Sequence, residues 1–188
     1  MDGKLIIFSA PSGAGKTTIV HRVLKHFDNL EFSVSATTRY ARPGEKNGKD
    51  YYFIELDDFR KRIEKEEFVE YEQVYHKQFY GTLKTELKRI WNKGNHVIFD
   101  VDVIGGLNIK KQYTQRALAI FIMPPSVEVL EKRLFERAKD DERSIRQRLN
   151  KAKHELTYAH QFDEVIVNED LEIAVNEAVE VMNKFLEN

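Results

Sequence analysis

The chain has 188 residues, with 30 Lys or Arg against 31 Asp or Glu and no cysteine. That length fits one domain with its own core and room for a movable insert; the missing cysteines exclude disulfide scaffolds, thiolate metal sites and cysteine nucleophiles. A net charge of −1 gives no bulk attraction to nucleic acid or membranes, and 41% hydrophobic against 32% charged residues is an ordinary globular balance.

In chain order, the first apolar run is Leu-Ile-Ile-Phe at residues 5–8, expected as a buried strand. It is too short for a signal-peptide core or a membrane span, so a cytoplasmic location is expected. A helix is expected over residues 17–26. Residues 32–82 then hold Tyr40, Tyr51, Tyr52, Tyr71, Tyr75 and Tyr80, with alternating segments at 51–54 and 68–71. This predicts a small β-rich insert, with one helix over 56–65. A helix over 83–92 carries apolar residues at 83, 87, 90 and 91. Further buried strands are expected at 96–99, 117–122 and 165–167, and helices at 127–138 and 144–160. The closing helix, 171–186, puts Leu171, Val175, Ala178, Val179, Met182 and Leu186 on one face. Continuous apolar strands alternating with helices predict an α/β fold, a parallel-sheet core covered by helices. Trp91 is expected in the core, and the six histidines show no metal-ligand spacing.

Residues 10–17 read Ala-Pro-Ser-Gly-Ala-Gly-Lys-Thr. This is the phosphate-loop pattern with Ala10 in the first position, where Gly is usual. An apolar strand directly before it and an apolar-periodic helix directly after supply the required context. Gly13 and Gly15 let backbone N–H groups close on phosphate oxygens, and the helix N-terminus adds partial positive charge. Lys16 is a point charge for the β- and γ-phosphates, and the Thr17 hydroxyl can reach Mg²⁺. Ala10 is compatible with the loop if its φ stays negative.

On these residues the sequence resembles the guanylate kinase family from about residue 4 to residue 185. The resemblance is carried by the loop at 9–17, by Phe-Ser-Val-Ser-Ala-Thr-Thr-Arg at 32–39 and by Arg-Pro-Gly-Glu-Lys-Asn-Gly-Lys-Asp-Tyr at 42–51. Phe-Tyr-Gly-Thr at 79–82, Asp-Val-Asp at 100–102, Ile-Met-Pro-Pro-Ser at 122–126 and Val-Ile-Val-Asn at 165–168 complete it. It implies a phosphate-loop parallel-sheet core (1–32, 83–132 and 149–188), a GMP-binding insert (33–82) and a helical lid (133–148) that close by hinge motion. It implies transfer of the γ-phosphoryl of ATP to GMP or dGMP with Mg²⁺, giving ADP and GDP. The expected partners are these small molecules, with no nucleic acid or membrane, in a monomer or homodimer. The alternatives are a non-catalytic guanylate-kinase-like binding module and a phosphate-loop kinase for another small acceptor.

Roles follow from the resemblance. ATP is assigned to Ala10, Pro11, Ser12, Gly13, Ala14, Gly15, Lys16, Thr17, Thr18 and Asn168. The GMP phosphate is assigned to Ser35, Arg39, Arg42, Tyr51 and Tyr80; guanidinium forks match phosphate oxygens and hydroxyls complete the shell. Taken alone, these arginines read equally well as solvated loop charges. The guanine base is assigned to Glu70, Thr82 and Asp102, a carboxylate-and-hydroxyl set suited to N1–H, N2–H and O6, which adenine would leave unpaired. Taken alone, Glu70 reads as a solvated strand carboxylate. Asp100 follows an apolar strand, where ligands bind in open α/β sheets, and is assigned with Thr17 to the metal; either Asp100 or Asp102 also reads as a helix N-cap.

Between residues 133 and 153, eight basic residues (133, 137, 139, 143, 146, 148, 151 and 153) stand against four acids (136, 140, 141 and 142). Arginines closing over a transferring phosphoryl stabilise its charge. The resemblance selects Arg133, Arg137 and Arg148 as catalytic, with Lys16. Two departures stand out: Ile104 where the family has glutamine, and Ala138 where it has glycine.

Overall fold

A computed structural model describes residues 3–137 and 142–187, apart from the side chains of Tyr75, Arg137 and residues 142–144. The first apolar run becomes β1 (Leu5–Ser9), buried at every position. Next come α1 (Lys16–Val23), β2 (Leu30–Phe32), β3 (Ala36–Thr37), β4 (Tyr52–Phe53), α2 (Leu56–Glu64), β5 (Phe68–Tyr75), β6 (Gln78–Leu83) and α3 (Lys84–Trp91). The chain continues through β7 (His96–Asp100), α4 (Val103–Tyr113), β8 (Ala117–Met123), α5 (Val127–Arg137), α6 (Glu142–Leu156), β9 (Glu164–Val167) and α7 (Leu171–Glu187).

Two compact units form, one from residues 4–28 and 99–188, the other from residues 1–3 and 29–98. In the first, β1 pairs in parallel with β8 from Leu5↔Ala117 to Ser9↔Phe121, and β8 with β9 from Ile120↔Glu164 to Met123↔Val167. Leu5, Ile6, Ile7 and Phe8 share its core with Ile19, Val20 and the apolar face of α7 at Ala174, Val175, Ala178 and Met182. The period-3.6 stripe read for the last helix is therefore its buried face. Leu130 and Leu134 of α5 pack with Ile145, Leu149 and Ala152 of α6.

In the second unit, β2 runs parallel to β7 from Leu30↔His96 to Phe32↔Ile98. Strand β7 passes from one unit into the other, and the parallel sheet has the order β2-β7-β1-β8-β9. The tyrosine-rich insert forms a separate sheet in the order β4-β3-β6-β5. Phe59 of α2 stacks on Phe68 of β5 with ring centroids 4.3 Å apart, over a small core with Ala36 and Leu83.

Two elements go beyond the sequence reading. Helix α4 carries Gly105-Gly106 in its first turn, a pair whose low helix propensity masks it. A Cβ at Gly106 would lie 2.3 Å from Ser9 Oγ, so the glycine is what lets α4 lie against β1. Strand β2 is three residues long and buries only Leu30 fully, too little for a periodic signal. Trp91 is half-buried at the end of α3 instead of lying in the core.

Candidate functional site

The phosphate loop leaves β1 at Ser9 and enters α1 at Lys16. Gly13 has φ 95° and Gly15 φ 94°, the left-handed region that a Cβ disfavours. Among the described residues, positive φ at non-glycine positions occurs only at Glu66, Lys77 and Thr114, so Ala10 takes an ordinary negative φ and the substitution does not distort the loop. The Ala14 N–H closes a turn onto the Pro11 carbonyl at 3.1 Å. The first turn of α1 carries no acid of its own against its partial positive charge.

Several predicted residues converge on this loop within one unit. Lys16 Nζ lies 2.6 Å from Asp100 Oδ1 and donates to the Val101 carbonyl. Thr17 Oγ1 donates to Asp100 Oδ2 at 2.7 Å. Asp100 thus ends β7 facing both the lysine and the hydroxyl. Asn168, placed at the end of β9 by its N–H to the Met123 carbonyl, is buried and donates through Nδ2 to the Ala14 carbonyl at 2.7 Å. Arg133 of α5 reaches the carbonyls of Ala14 and Asn168, each at 3.5 Å. Loop, strand ends and α5 are therefore tied together at Ala14. Arg148 lies half-buried on α6. The side chain of Arg137 and the residue at 138 lie outside the described residues.

Asp102 does what one of its two readings required: it is the N-cap of α4, its Oδ1 accepting the Gly105 N–H at 2.8 Å. Its neighbour Ile104 is partly exposed on the first turn of that helix. Glu155 of α6 carried no sequence signal beyond its charge. It is buried beside Lys151, 3.6 Å away, and burial pushes its carboxyl up, with Asp102 reinforcing the shift and Lys151 and Lys16 opposing it.

The second unit holds a different cluster. Arg39 makes a bidentate pair with Glu45, Nη1 to Oε2 at 2.6 Å and Nη2 to Oε1 at 2.7 Å. Its guanidinium carbon sits 4.8 Å from the Tyr51 ring centroid and 5.6 Å from that of Phe53. The Tyr80 ring meets Tyr51 edge-on at 5.9 Å. Glu45 in turn accepts the Arg42 N–H at 2.7 Å, while the Arg42 side chain is exposed. These hydrogen bonds, Arg39 first and the Arg42 amide second, hold the Glu45 carboxyl down to about 2. Asn47 and Asp50 shape the rest of the loop by accepting the N–H groups of Phe53 and Lys46. The half-buried Ser35 offers its carbonyl to the Tyr52 N–H at 2.9 Å.

Glu70 of β5 and Thr82 of β6 are direct cross-strand partners, and both are buried. Burial of Glu70 overturns its reading as a solvated carboxylate. The Thr82 hydroxyl is fully buried and has no hydrogen-bond partner among the described residues. An orphaned buried hydroxyl beside a buried carboxylate is costly unless something else completes it. Glu45 and Glu86 were not singled out from sequence; Glu45 was visible only as one letter of the Arg-Pro-Gly-Glu run.

The guanylate kinase family model matches residues 2–185. A guanylate kinase of Bacteroides thetaiotaomicron is 53% identical over 186 residues, covering 99% of this chain and 91% of that one. One from Porphyromonas gingivalis is 52% identical over 184 residues, covering 97% and 98%. The crystal structure of guanylate kinase from Anaplasma phagocytophilum superposes with a TM-score of 0.80 at 31% identity, covering 99% of this chain and 87% of that chain. The chain belongs to the guanylate kinase family of ATP:GMP phosphotransferases.

Proposed function

We infer that this chain transfers the γ-phosphoryl of ATP to GMP or dGMP through the residues assigned from its sequence. The observation that carries the donor half is the meeting of Lys16, Thr17 and Asp100 at the start of α1. Residues 10–18 would wrap the donor phosphates, with Lys16 turning from Asp100 to the β- and γ-phosphates and Asn168 fixing the loop from behind. Thr17 Oγ1 and Asp100 Oδ2, two hard oxygens 2.7 Å apart, are the donor types Mg²⁺ takes, directly or through water. When bound with ATP the ion neutralises phosphate charge. Arg133, Arg137 and Arg148 belong to the proposed lid, residues 133–148, and would stabilise the charge of the transferring group.

For the acceptor half, Ser35, Arg39, Arg42, Tyr51 and Tyr80 would bind the GMP phosphate. Glu45 holds the Arg39 guanidinium against Tyr51, so little side-chain freedom is lost when a phosphate arrives. The Thr82 hydroxyl and Glu70 would supply a donor and an acceptor for guanine; Asp102 is assigned to the base by the family resemblance alone. No side chain needs to act as a nucleophile, because the acceptor phosphate oxygen attacks in line. The proposed division is a core of 1–32, 83–132 and 149–188 with an insert of 33–82. Among the described residues no helix is long and apolar enough to cross a membrane, and the cytoplasmic location belongs to the same proposal.

A coupled ADP-release assay with GMP, dGMP, AMP and IMP in parallel tests the assignment. GMP and dGMP should turn over fastest. Faster turnover of AMP, or a folded chain with no affinity for ATP and GMP, would reject it.

A further inference from the structure

Glu86 sits in the first turn of α3 and is 2% exposed. A carboxylate buried this deeply survives only when charge and hydrogen bonds surround it. Its Oε1 accepts the Val34 N–H at 3.0 Å and Arg89 Nη2 at 2.7 Å. Its Oε2 accepts the Tyr52 hydroxyl at 3.1 Å and Arg89 Nε at 3.0 Å. Arg89 is shared with Glu31 of β2, which also takes Lys93 Nζ at 2.9 Å and Asn95 Nδ2 at 3.3 Å. The network lies wholly within one unit.

What it joins matters more than its strength. Val34 directly precedes Ser35, and Tyr52 directly follows Tyr51. The Ser35 carbonyl accepts the Tyr52 N–H at 2.9 Å, so Glu86 grips both segments on either side of that bond. Helix α3 itself continues from β6, the strand of Tyr80 and Thr82. One carboxylate therefore fixes the spacing among three segments that carry hydroxyls assigned to the acceptor nucleotide. A buried ion pair gives little net stability compared with apolar packing of the same volume, whereas fixed geometry is something apolar packing supplies less sharply.

We propose that Glu86 is a positioning residue for the acceptor nucleotide, holding the Ser35 and Tyr51 segments in register with the β6–α3 segment. The proposal rests on the reading that Ser35 and Tyr51 meet the GMP phosphate. Glu86→Gln keeps the size but loses the charge and one acceptor oxygen. Tyr52→Phe removes only one hydroxyl from the network.

The test is steady-state kinetics of the full chain with each substrate varied in turn, together with melting temperatures. Glu86→Gln should raise KM for GMP roughly tenfold and Tyr52→Phe roughly threefold, with KM for ATP within about twofold of the parent. A merely structural role would lower the melting temperature and the active fraction without separating the two substrates. GMP KM unchanged in both variants, or equal rises for ATP and GMP, overturns the proposal. Should Glu86→Gln fail to fold, Tyr52→Phe decides alone. Tyr51→Phe separates the two levels: raised GMP KM there with none in Glu86→Gln and Tyr52→Phe sinks the positioning role and leaves the acceptor site standing. Unchanged GMP KM in Tyr51→Phe removes the acceptor-site reading, and the positioning role with it.

Discussion

Thr82→Val should move stability and substrate affinity in opposite directions. The Thr82 hydroxyl is fully buried in β6 and donates to none of the described residues. Leaving such a group unsatisfied costs about 1–3 kcal/mol, and valine removes it while keeping the branched shape that strands favour. The free protein should gain on the order of 1 kcal/mol, or a melting temperature about 2–4 °C higher for a chain of this size. In the GMP complex the same hydroxyl is assigned to the base, so its loss should cost about 1–1.5 kcal/mol, a roughly tenfold rise in KM for GMP. The assays are thermal melts without ligand and steady-state kinetics at saturating ATP. A lower melting temperature would mean the hydroxyl is partnered in the free protein. An unchanged KM would mean it never touches guanine.

Three further perturbations probe separate links. Lys16→Ala should abolish transfer, by about 10³-fold or more, while calorimetric GMP affinity stays within about twofold; lost GMP binding would show that the division into donor and acceptor residues is wrong. Gly15→Ala forces a side chain into φ 94° and places its Cβ 2.4 Å from Asn168 Nδ2. It should destabilise the chain by at least about 1–2 kcal/mol and weaken ATP binding, and a melting temperature equal to the parent's would contradict the loop geometry. Glu45 has its folded pKa held down to about 2, below its ordinary value of 4.5. Its contribution is therefore present above pH 4.5 and lost as pH falls from there toward 2. The melting temperature of Glu45→Gln should lie below the parent's at pH 6 and converge with it as pH drops through that window; a constant gap would exclude ionisation as its source.

The elements that bury long apolar runs were legible because burial on both faces leaves no ambiguity in the pattern: β1, β7 and β8 fall where residues 5–8, 96–99 and 117–122 predict. The stripe on α7 was equally plain, since only one helical face can carry Leu171, Val175, Ala178 and Met182. The phosphate loop was legible for a different reason. Its glycines are required by backbone torsion, and torsion is a local property.

Helix α4 was hidden because its glycine pair lowers helix propensity, while Gly106 serves an approach to Ser9 that no local preference reveals. Asp102 had two local readings, and only the folded chain could show Gly105 N–H on its carboxylate. Glu45, Glu86 and Glu155 read alike in a chain with 31 acids. What distinguishes them is the company each keeps: a guanidinium fork for the first, the Val34 N–H, the Tyr52 hydroxyl and Arg89 for the second, and a burial that raises the third. Sequence determines which groups are available and which torsions are allowed. Whether a carboxylate is solvated, paired or buried depends on how the chain folds around it: a loop turned back on itself for Glu45, and for Glu86 segments tens of positions away that only tertiary packing brings together.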